Sequence, residues 1–397
     1  MNWLEKAQNY LRDTKRDAWI VYDFQLSNPI ARYLLGYRPS ATRRYFIVVR
    51  EGGMPVVIAS IIDQFQFTSD RFNRIFYKNH DELREALKQC VGDVKNVYLD
   101  YSHNCDIPHM SKIDLGTVEF LRSLNASMTI HSSADIFQYA MATWSPSSLQ
   151  KHLSASEIVE EIKTAAFDRI FTSIDKGDKI TEYDVQQFIM DSFSANGLVT
   201  DSAPCVSVNS NSARSHYEPT KDKSEIIKTG DWLLLDLWAR HKEPDAVYAD
   251  ITWVGYVGAT RDMPARYGDI FAIVKGARDN AVQFLKTNVK NGIEGWQVDK
   301  VARDHIAGAG YGEFFKHRTG HSMAPGEMLH ALSVNLDNYE TKDTRKILPG
   351  VGFSIEPGIY LDEFGVRLEI NAYVSEQGEL QVTSCVQDSI VTMDNRR

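Results

Sequence analysis

The sequence predicts two domains of different class, an N-terminal α/β domain over residues 1–145 and a C-terminal α+β domain over residues 146–397. Three observations carry this. A chain of 397 residues holds about two domains at roughly 100–200 residues each. Its first third alternates short apolar runs with helical spacing, the rhythm of α/β structure. A turn-forming stretch, Thr143-Trp144-Ser145-Pro146-Ser147-Ser148, then breaks the pattern before longer helices begin.

In the first domain Ala18-Trp19-Ile20-Val21-Tyr22, Tyr45-Phe46-Ile47-Val48-Val49 and Val97-Tyr98-Leu99-Asp100 have the β-branched and aromatic composition of strands. Between them Leu83, Ala86 and Leu87 fall at helical spacing within Asp81–Val91. In the second domain Ser154 is the expected N-cap of a helix, because Glu157 three residues on completes a capping box. Ile158, Ile162, Ala165, Ala166 and Ile170 form its apolar stripe, and Gly177 follows its end. Further helices are expected from after Thr181 to near Gly197, over Tyr267–Val289 and over Trp296–Ile306. Strands are expected at Asp231–Trp238, Asp250–Val257, Val351–Ile355 and Val366–Val374, in a mostly antiparallel sheet.

Lys and Arg total 44 against 53 Asp and Glu, a formal charge of −9. Binding by phosphate neutralisation asks for a basic protein, so a nucleic-acid partner is not expected. No run approaches the ~18–20 apolar residues of a membrane helix. The start, Met1-Asn2-Trp3-Leu4-Glu5-Lys6-Ala7, carries an acid and lacks the basic-then-apolar order of a signal peptide. Cys90, Cys105, Cys205 and Cys385 lie far apart without a CxxC pair, and are expected as reduced, buried or half-buried thiols. A cytoplasmic protein with no membrane partner is the expectation.

The chemistry lies in acids placed where strands should be apolar. Asp236 stands inside Trp232-Leu233-Leu234-Leu235-Asp236-Leu237-Trp238, and Glu356 ends the run Gly352-Phe353-Ser354-Ile355 at a Pro-Gly turn. In Val366-Arg367-Leu368-Glu369-Ile370-Asn371-Ala372 the two-residue period puts Arg367, Glu369 and Asn371 on one face. Asp250 shares a face with Tyr248 and Thr252. A buried carboxylate needs a positive partner, since leaving it unpaired costs several kcal/mol. Any one of these acids could pair with Lys or Arg, but both are scarce in these strands. Four acids with the loop His317-Arg318-Thr319-Gly320-His321 fit a shared metal site instead. Carboxylates with one imidazole suit Mn²⁺, and also Co²⁺ or Zn²⁺, and two ions would neutralise four carboxylates.

At these residues the sequence resembles the pita-bread metallopeptidases, the family of prolidase, aminopeptidase P and, more distantly, methionine aminopeptidase. The segment Asn28-Pro29-Ile30-Ala31-Arg32-Tyr33-Leu34-Leu35-Gly36-Tyr37 is similar to the creatinase/prolidase N-terminal domain. The resemblance implies a creatinase/prolidase-like α/β domain followed by a pita-bread α+β domain with pseudo-twofold symmetry, in a homodimer. It also implies the ligand order Asp236, Asp250, His321, Glu356, Glu369. Asp250 and Glu369 would bridge two metals, Asp236 would chelate one, and His321 and Glu356 would bind the other. His216 matches a substrate-holding histidine, and His330 one that also stabilises the oxyanion. Tyr360 and Arg367 match positions that organise the site, and His317 sits four residues before the metal histidine as in aminopeptidase P.

The implied reaction is hydrolysis of Xaa-Pro bonds, by an Xaa-Pro dipeptidase or an Xaa-Pro aminopeptidase. A hydroxide bridging the metals would attack the carbonyl, with Glu356 as proton shuttle. Departures from the family pattern accompany the likeness. Asp236 and Asp250 lie 14 residues apart, further than usual, so a longer hairpin is expected around His241–Asp245. Trp253 replaces a common arginine and Val247 a common tyrosine; the usual glycines around His321 read Ser322-Met323-Ala324; and His330 is displaced. These segments are expected to flank the pocket and bear on substrate preference. The other readings are a metal-dependent hydrolase or lyase of a small molecule, a metal-free amidinohydrolase, and an inactive binding module.

Overall fold

The computed structural model describes residues 2–214, 217–326 and 328–395. The chain divides into two compact units, Met1–Ala142 and Thr143–Arg397.

The first unit is built on a six-stranded mixed sheet in the order β4-β3-β2-β1-β5-β6. The strands are β1 Ala18–Asp23, β2 Tyr45–Arg50, β3 Val56–Ser60, β4 Asn73–Tyr77, β5 Asn96–Leu99 and β6 Thr129–Ser132. The three apolar runs expected as strands are β1, β2 and β5. Five helices accompany the sheet: α1 Trp3–Asp13, α2 Pro29–Leu35, α3 His80–Val91, α4 Leu115–Leu124 and the single turn α5 Ala134–Phe137. Asn28 caps α2, Pro29 occupies its first turn and Gly36, at φ 77°, ends it in the left-handed region. Leu83, Ala86 and Leu87 of α3 pack with Ile20, Phe46, Val48, Ile58 and Val97 in the core.

In the second unit α6 Pro146–Lys176 and α7 Glu182–Ala195 precede β7 Leu198–Val199, β8 Cys205–Val208, β9 Trp232–His241 and β10 Ala249–Tyr256. Then follow α8 Ala265–Asn288, α9 Gly295–Gly308, β11 Ser322–Met323, β12 Gly352–Ile355, β13 Gly358–Tyr360, β14 Gly365–Arg367, β15 Ile370–Val374 and β16 Leu380–Val382. Strand β9 pairs antiparallel with β10, β8 and β7. A second sheet runs β11-β12-β15-β16, and β13 pairs with β14. Helices α6 and α7 cover one face of β9 and β10; α8 and α9 pack into a core shared with β12, β14 and β15. The unit is α+β, as expected.

Three expectations need correction. Helix α6 begins at Pro146 with Ser145 as its cap, accepting from Ser148 N–H, so Ser154 lies inside the helix and bonds His241. Pro146 has no N–H to leave unpaired, which favours the earlier start. The run Val366–Val374 is two strands, because Leu368 and Glu369 cross between partners: β14 pairs with β13 and β15 with β12. Among the cysteines Cys205 is buried and Cys90 half-buried, but Cys105 and Cys385 are exposed; all four are free thiols. Among the described residues no helix is long and apolar enough to cross a membrane.

Candidate metal centre

Strand alternation sets the first ligands. In β9 Leu233, Leu235, Leu237 and Ala239 pack under α6 and α7, while Trp232 and Leu234 enter the opposite core. Asp236 continues that opposite face. In β10 Val254 and Tyr256 mark the same face, so Asp250 and Thr252 share it. The register places Thr252 beside Asp236. The two sheets are joined at Asp250, whose backbone N–H donates to Asn371 Oδ1 (2.9 Å) and whose carbonyl accepts from Asn371 Nδ2 (2.6 Å). Glu369 N–H donates to the Thr252 carbonyl (3.2 Å), and the Thr252 hydroxyl donates to Glu369 Oε2 (2.8 Å).

His321 and Glu356 arrive together. His321 N–H donates to Ser354 Oγ (3.0 Å), and that hydroxyl donates to Glu356 Oε1 (2.9 Å). Gly320 is required here: a Cβ on it would lie 2.0 Å from the Ser354 carbonyl oxygen. His321 Nδ1 lies 3.2 Å from the Ser322 carbonyl, so that nitrogen carries the proton and Nε2 carries a lone pair. Nε2 in turn lies 3.2 Å from Asp250 Oδ2 and 3.6 Å from Glu356 Oε1. Burial, then the charges of His330 and Arg318, hold the His321 pKa well below its ordinary value, so the ring is neutral.

A lone pair facing ionised carboxylate oxygens is repulsive unless a proton or a metal cation lies between them. The carboxylates have the same need. Asp250, His321 and Glu369 each offer a ligand atom, all within 4.8 Å of one another. Asp250 Oδ1 and Glu369 Oε1 are buried without a hydrogen-bond partner. Burial, then neighbouring carboxylates, push the pKa values of Asp250 and Glu369 well above the carboxylate range. Glu356 is pushed up to about 7 by burial, with Arg367 opposing. Among the described residues these four carboxylates have one guanidinium in contact with them, that of Arg367, with Arg318 acting from further off. The residues present therefore fit divalent cations held by oxygen and one imidazole.

Arg367 donates to Asp236, to Thr252 Oγ1 (3.0 Å) and to Tyr360 Oη (2.9 Å), and lies 3.9 Å from Glu356. So one of the acids does have an arginine partner. Tyr360 passes the chain on: its hydroxyl donates to His317 Nε2 (2.7 Å) while His317 Nδ1–H donates to the Arg318 carbonyl (2.7 Å). Burial lowers the His317 pKa to about 3 and raises that of Tyr360 to about 12, so both are neutral. His317 thus stands behind Tyr360 rather than in the cluster. His330 is exposed, its ring centroid 4.1 Å from that of His321 and its Nδ1 3.4 Å from Arg318. His216 lies outside the described residues.

Of the departures, Trp253 does not flank the cluster. It belongs to the opposite face of β10, under Lys163, whose ammonium lies 3.5 Å from the ring centroid. The lengthened hairpin folds back on α6, where Asp245 meets Lys151 (2.5 Å) and Ser147 (2.9 Å). Val247 is buried among Trp144, Tyr248, Met323 and Tyr373. Sequence reasoning missed Ser354 and Asn371 as supports of the ligands. Asn371 had a signal in its shared face with Glu369; Ser354 had none beyond its place two residues before Glu356.

Comparison with known proteins shows the family and the fold. The profile of metallopeptidase family M24 matches residues 154–376, more than half of the chain. An Xaa-Pro dipeptidase of Lactobacillus helveticus is 26% identical over 380 residues, covering 94% of this chain and 95% of that protein. The prolidase of Pyrococcus horikoshii OT3 matches in structure with a TM-score of 0.63 at 21% identity, over 98% of this chain and 99% of that one. An X-prolyl aminopeptidase from Caenorhabditis elegans, described as a cytosolic enzyme with a di-nuclear active site, gives 0.68 at 18% identity, over 98% of this chain and 63% of that one. These two structural likenesses show the pita-bread fold.

Proposed function

The chain belongs to metallopeptidase family M24, and we propose that it hydrolyses peptide bonds preceding proline with two divalent metal ions. One observation carries the metal part: the unprotonated Nε2 of His321 faces two carboxylates beside two partnerless buried oxygens. Likeness to an Xaa-Pro dipeptidase over almost its whole length supports the substrate. Asp236, Asp250, His321, Glu356 and Glu369 would hold the ions, with Asp250, His321 and Glu369 at the centre of the set. Mn²⁺ suits this oxygen-rich set. When bound, such ions lower the pKa of water toward neutrality and polarise a carbonyl.

The chain's own residues supply the rest. An Xaa-Pro amide nitrogen has no hydrogen, so a proton must reach it as the C–N bond breaks. Glu356 takes and returns that proton, its carboxylate steadied by the Ser354 hydroxyl at Oε1. His330, exposed beside His321, donates to the substrate carbonyl oxygen, a contact worth about 3–4 kcal/mol in such sites. His216 holds the substrate. Arg367, with Tyr360 and His317 behind it, keeps Asp236 oriented. We take the working form as a cytoplasmic homodimer; four free thiols fit a reducing compartment.

The test is a panel of Xaa-Pro dipeptides and longer Xaa-Pro peptides, assayed with Mn²⁺ and after chelation. Hydrolysis that chelation silences and Mn²⁺ restores is expected. Cleavage of dipeptides alone marks a dipeptidase, and release of Xaa from longer chains an aminopeptidase. Activity indifferent to chelation, or none on any Xaa-Pro bond, overturns the proposal.

A further inference from the structure

On α9, outside the cluster, Asp299 is fully buried. Its carboxylate accepts five hydrogen bonds: from Arg303 Nε and Nη2 (3.0 Å each), Thr319 N–H (2.8 Å), the Thr319 hydroxyl (2.7 Å) and Asn338 N–H (3.1 Å). The same Arg303 guanidinium donates to the carbonyls of Phe315 (3.0 Å) and His317 (2.8 Å). Thr319 stands two residues before His321, and its carbonyl accepts from Glu356 N–H at 2.7 Å. One ion pair, its carboxylate fully buried and its guanidinium half-buried, therefore grips the segment that carries His317 and His321, and through Thr319 it also grips the backbone of Glu356.

Anchoring α9 does not require this pair, because Val298, Ala302 and Ile306 already bury the helix in the core. A buried ion pair is often no more stabilising than an apolar replacement, so its use lies in fixing geometry. We infer that Asp299, braced by Arg303, is a positioning residue that sets His321 and Glu356 in register with each other for the metal. This rests on the metal-centre reading above.

The experiment is a calorimetric Mn²⁺ titration of the full chain as wild type, Asp299→Asn and, as control, Val298→Ala, which removes core packing from the same helix. Asn keeps the volume but loses the charge and one acceptor. Asp299→Asn is expected to weaken Mn²⁺ binding 10–100-fold, the range for groups that orient metal ligands. Val298→Ala is expected to lower the thermal midpoint and leave the affinity within twofold. Equal affinity loss in both variants, or an Asp299→Asn affinity within twofold of wild type, overturns the inference. If Asp299→Asn does not fold, Arg303→Lys decides, since it keeps the charge but drops the fork to the two carbonyls. At least threefold weaker Mn²⁺ binding is expected, and a change below twofold overturns it. A wild-type chain that takes up no Mn²⁺ overturns the metal-centre reading and this inference with it.

Discussion

Substituting Asp250→Asn should stabilise the metal-free protein and abolish its stabilisation by metal. Asp250 Oδ2 lies 3.2 Å from the bare Nε2 of His321, and Oδ1 has no hydrogen-bond partner. An amide nitrogen in the place of Oδ2 would donate to that lone pair, a hydrogen bond worth about 0.5–1.5 kcal/mol net. It would also remove one of the carboxylates that push each other's pKa values up. Two unit charges about 4 Å apart repel by roughly 4 kcal/mol at an effective dielectric of 20, and partial protonation of the acids reduces that. A net gain of about 1–3 kcal/mol follows, or roughly 2–10 °C in thermal midpoint for a unit of this size. Wild type should gain about 2.7 kcal/mol from Mn²⁺ at 100 times its dissociation constant; the variant should gain almost nothing. The assay is thermal melting of both proteins after chelation and with Mn²⁺. A variant that melts below wild type after chelation, or that Mn²⁺ stabilises as much as wild type, refutes the argument.

Glu356→Gln should reduce turnover at least 1,000-fold, since the amide cannot carry the proton, while circular dichroism stays that of wild type; a loss under tenfold in steady-state assays would remove Glu356 from proton transfer. His152 is fully buried: its Nδ1–H donates to the Tyr248 carbonyl (2.7 Å), and in the neutral ring Nε2 accepts from the Thr383 hydroxyl (2.8 Å). Burial lowers its pKa from 6.5 to about 4, so the unfolded chain takes the proton first. Its contribution is complete above pH 6.5 and falls away as the pH drops through 4, by about 3 kcal/mol. Melting of wild type and His152→Gln between pH 7 and 4 should show a shallower slope in the variant, and equal slopes count against this. Gly320→Ala should part β11 from β12, because its Cβ would collide with the Ser354 carbonyl; the Mn²⁺-induced rise in melting temperature should vanish, and a wild-type rise would show that the pair tolerates the methyl.

Local signals carried much of the fold. The start of α7 was legible, and Thr181 there forms a capping box with Asp184. The box of Ser154 and Glu157 was equally good on paper, yet α6 runs through it, because a cap matters only where a helix has unpaired N–H groups. The face shared by Arg367, Glu369 and Asn371 was correct across a strand break, since Val366, Leu368, Ile370 and Ala372 still line one core. The acids of the cluster were legible because charge inside an apolar strand is conspicuous. Asp299 was not, because a polar residue on an amphipathic helix is ordinary and its partners Thr319 and Asn338 are brought to it only by tertiary structure.

The acids are held by neutral groups more than by opposite charge. Asp250 is fixed through its backbone by Asn371, Glu369 by Thr252, and Glu356 by Ser354 and the Thr319 carbonyl. Among the described residues the one cation in hydrogen-bond contact with these acids is Arg367, which donates to Asp236 and stands 3.9 Å from Glu356. Such hydrogen bonds persist whether or not the carboxylates are neutralised, so the cluster is in place before any cation arrives. Their role is to hold like charges together against repulsion, which lowers the stability of the metal-free chain and raises its affinity for metal. A core shaped for stability alone would carry apolar residues at 236, 250 and 369, as it does at the neighbouring Leu235, Ile251 and Leu368. The gain expected for Asp250→Asn without metal, and its loss of stabilisation by metal, follow from that arrangement.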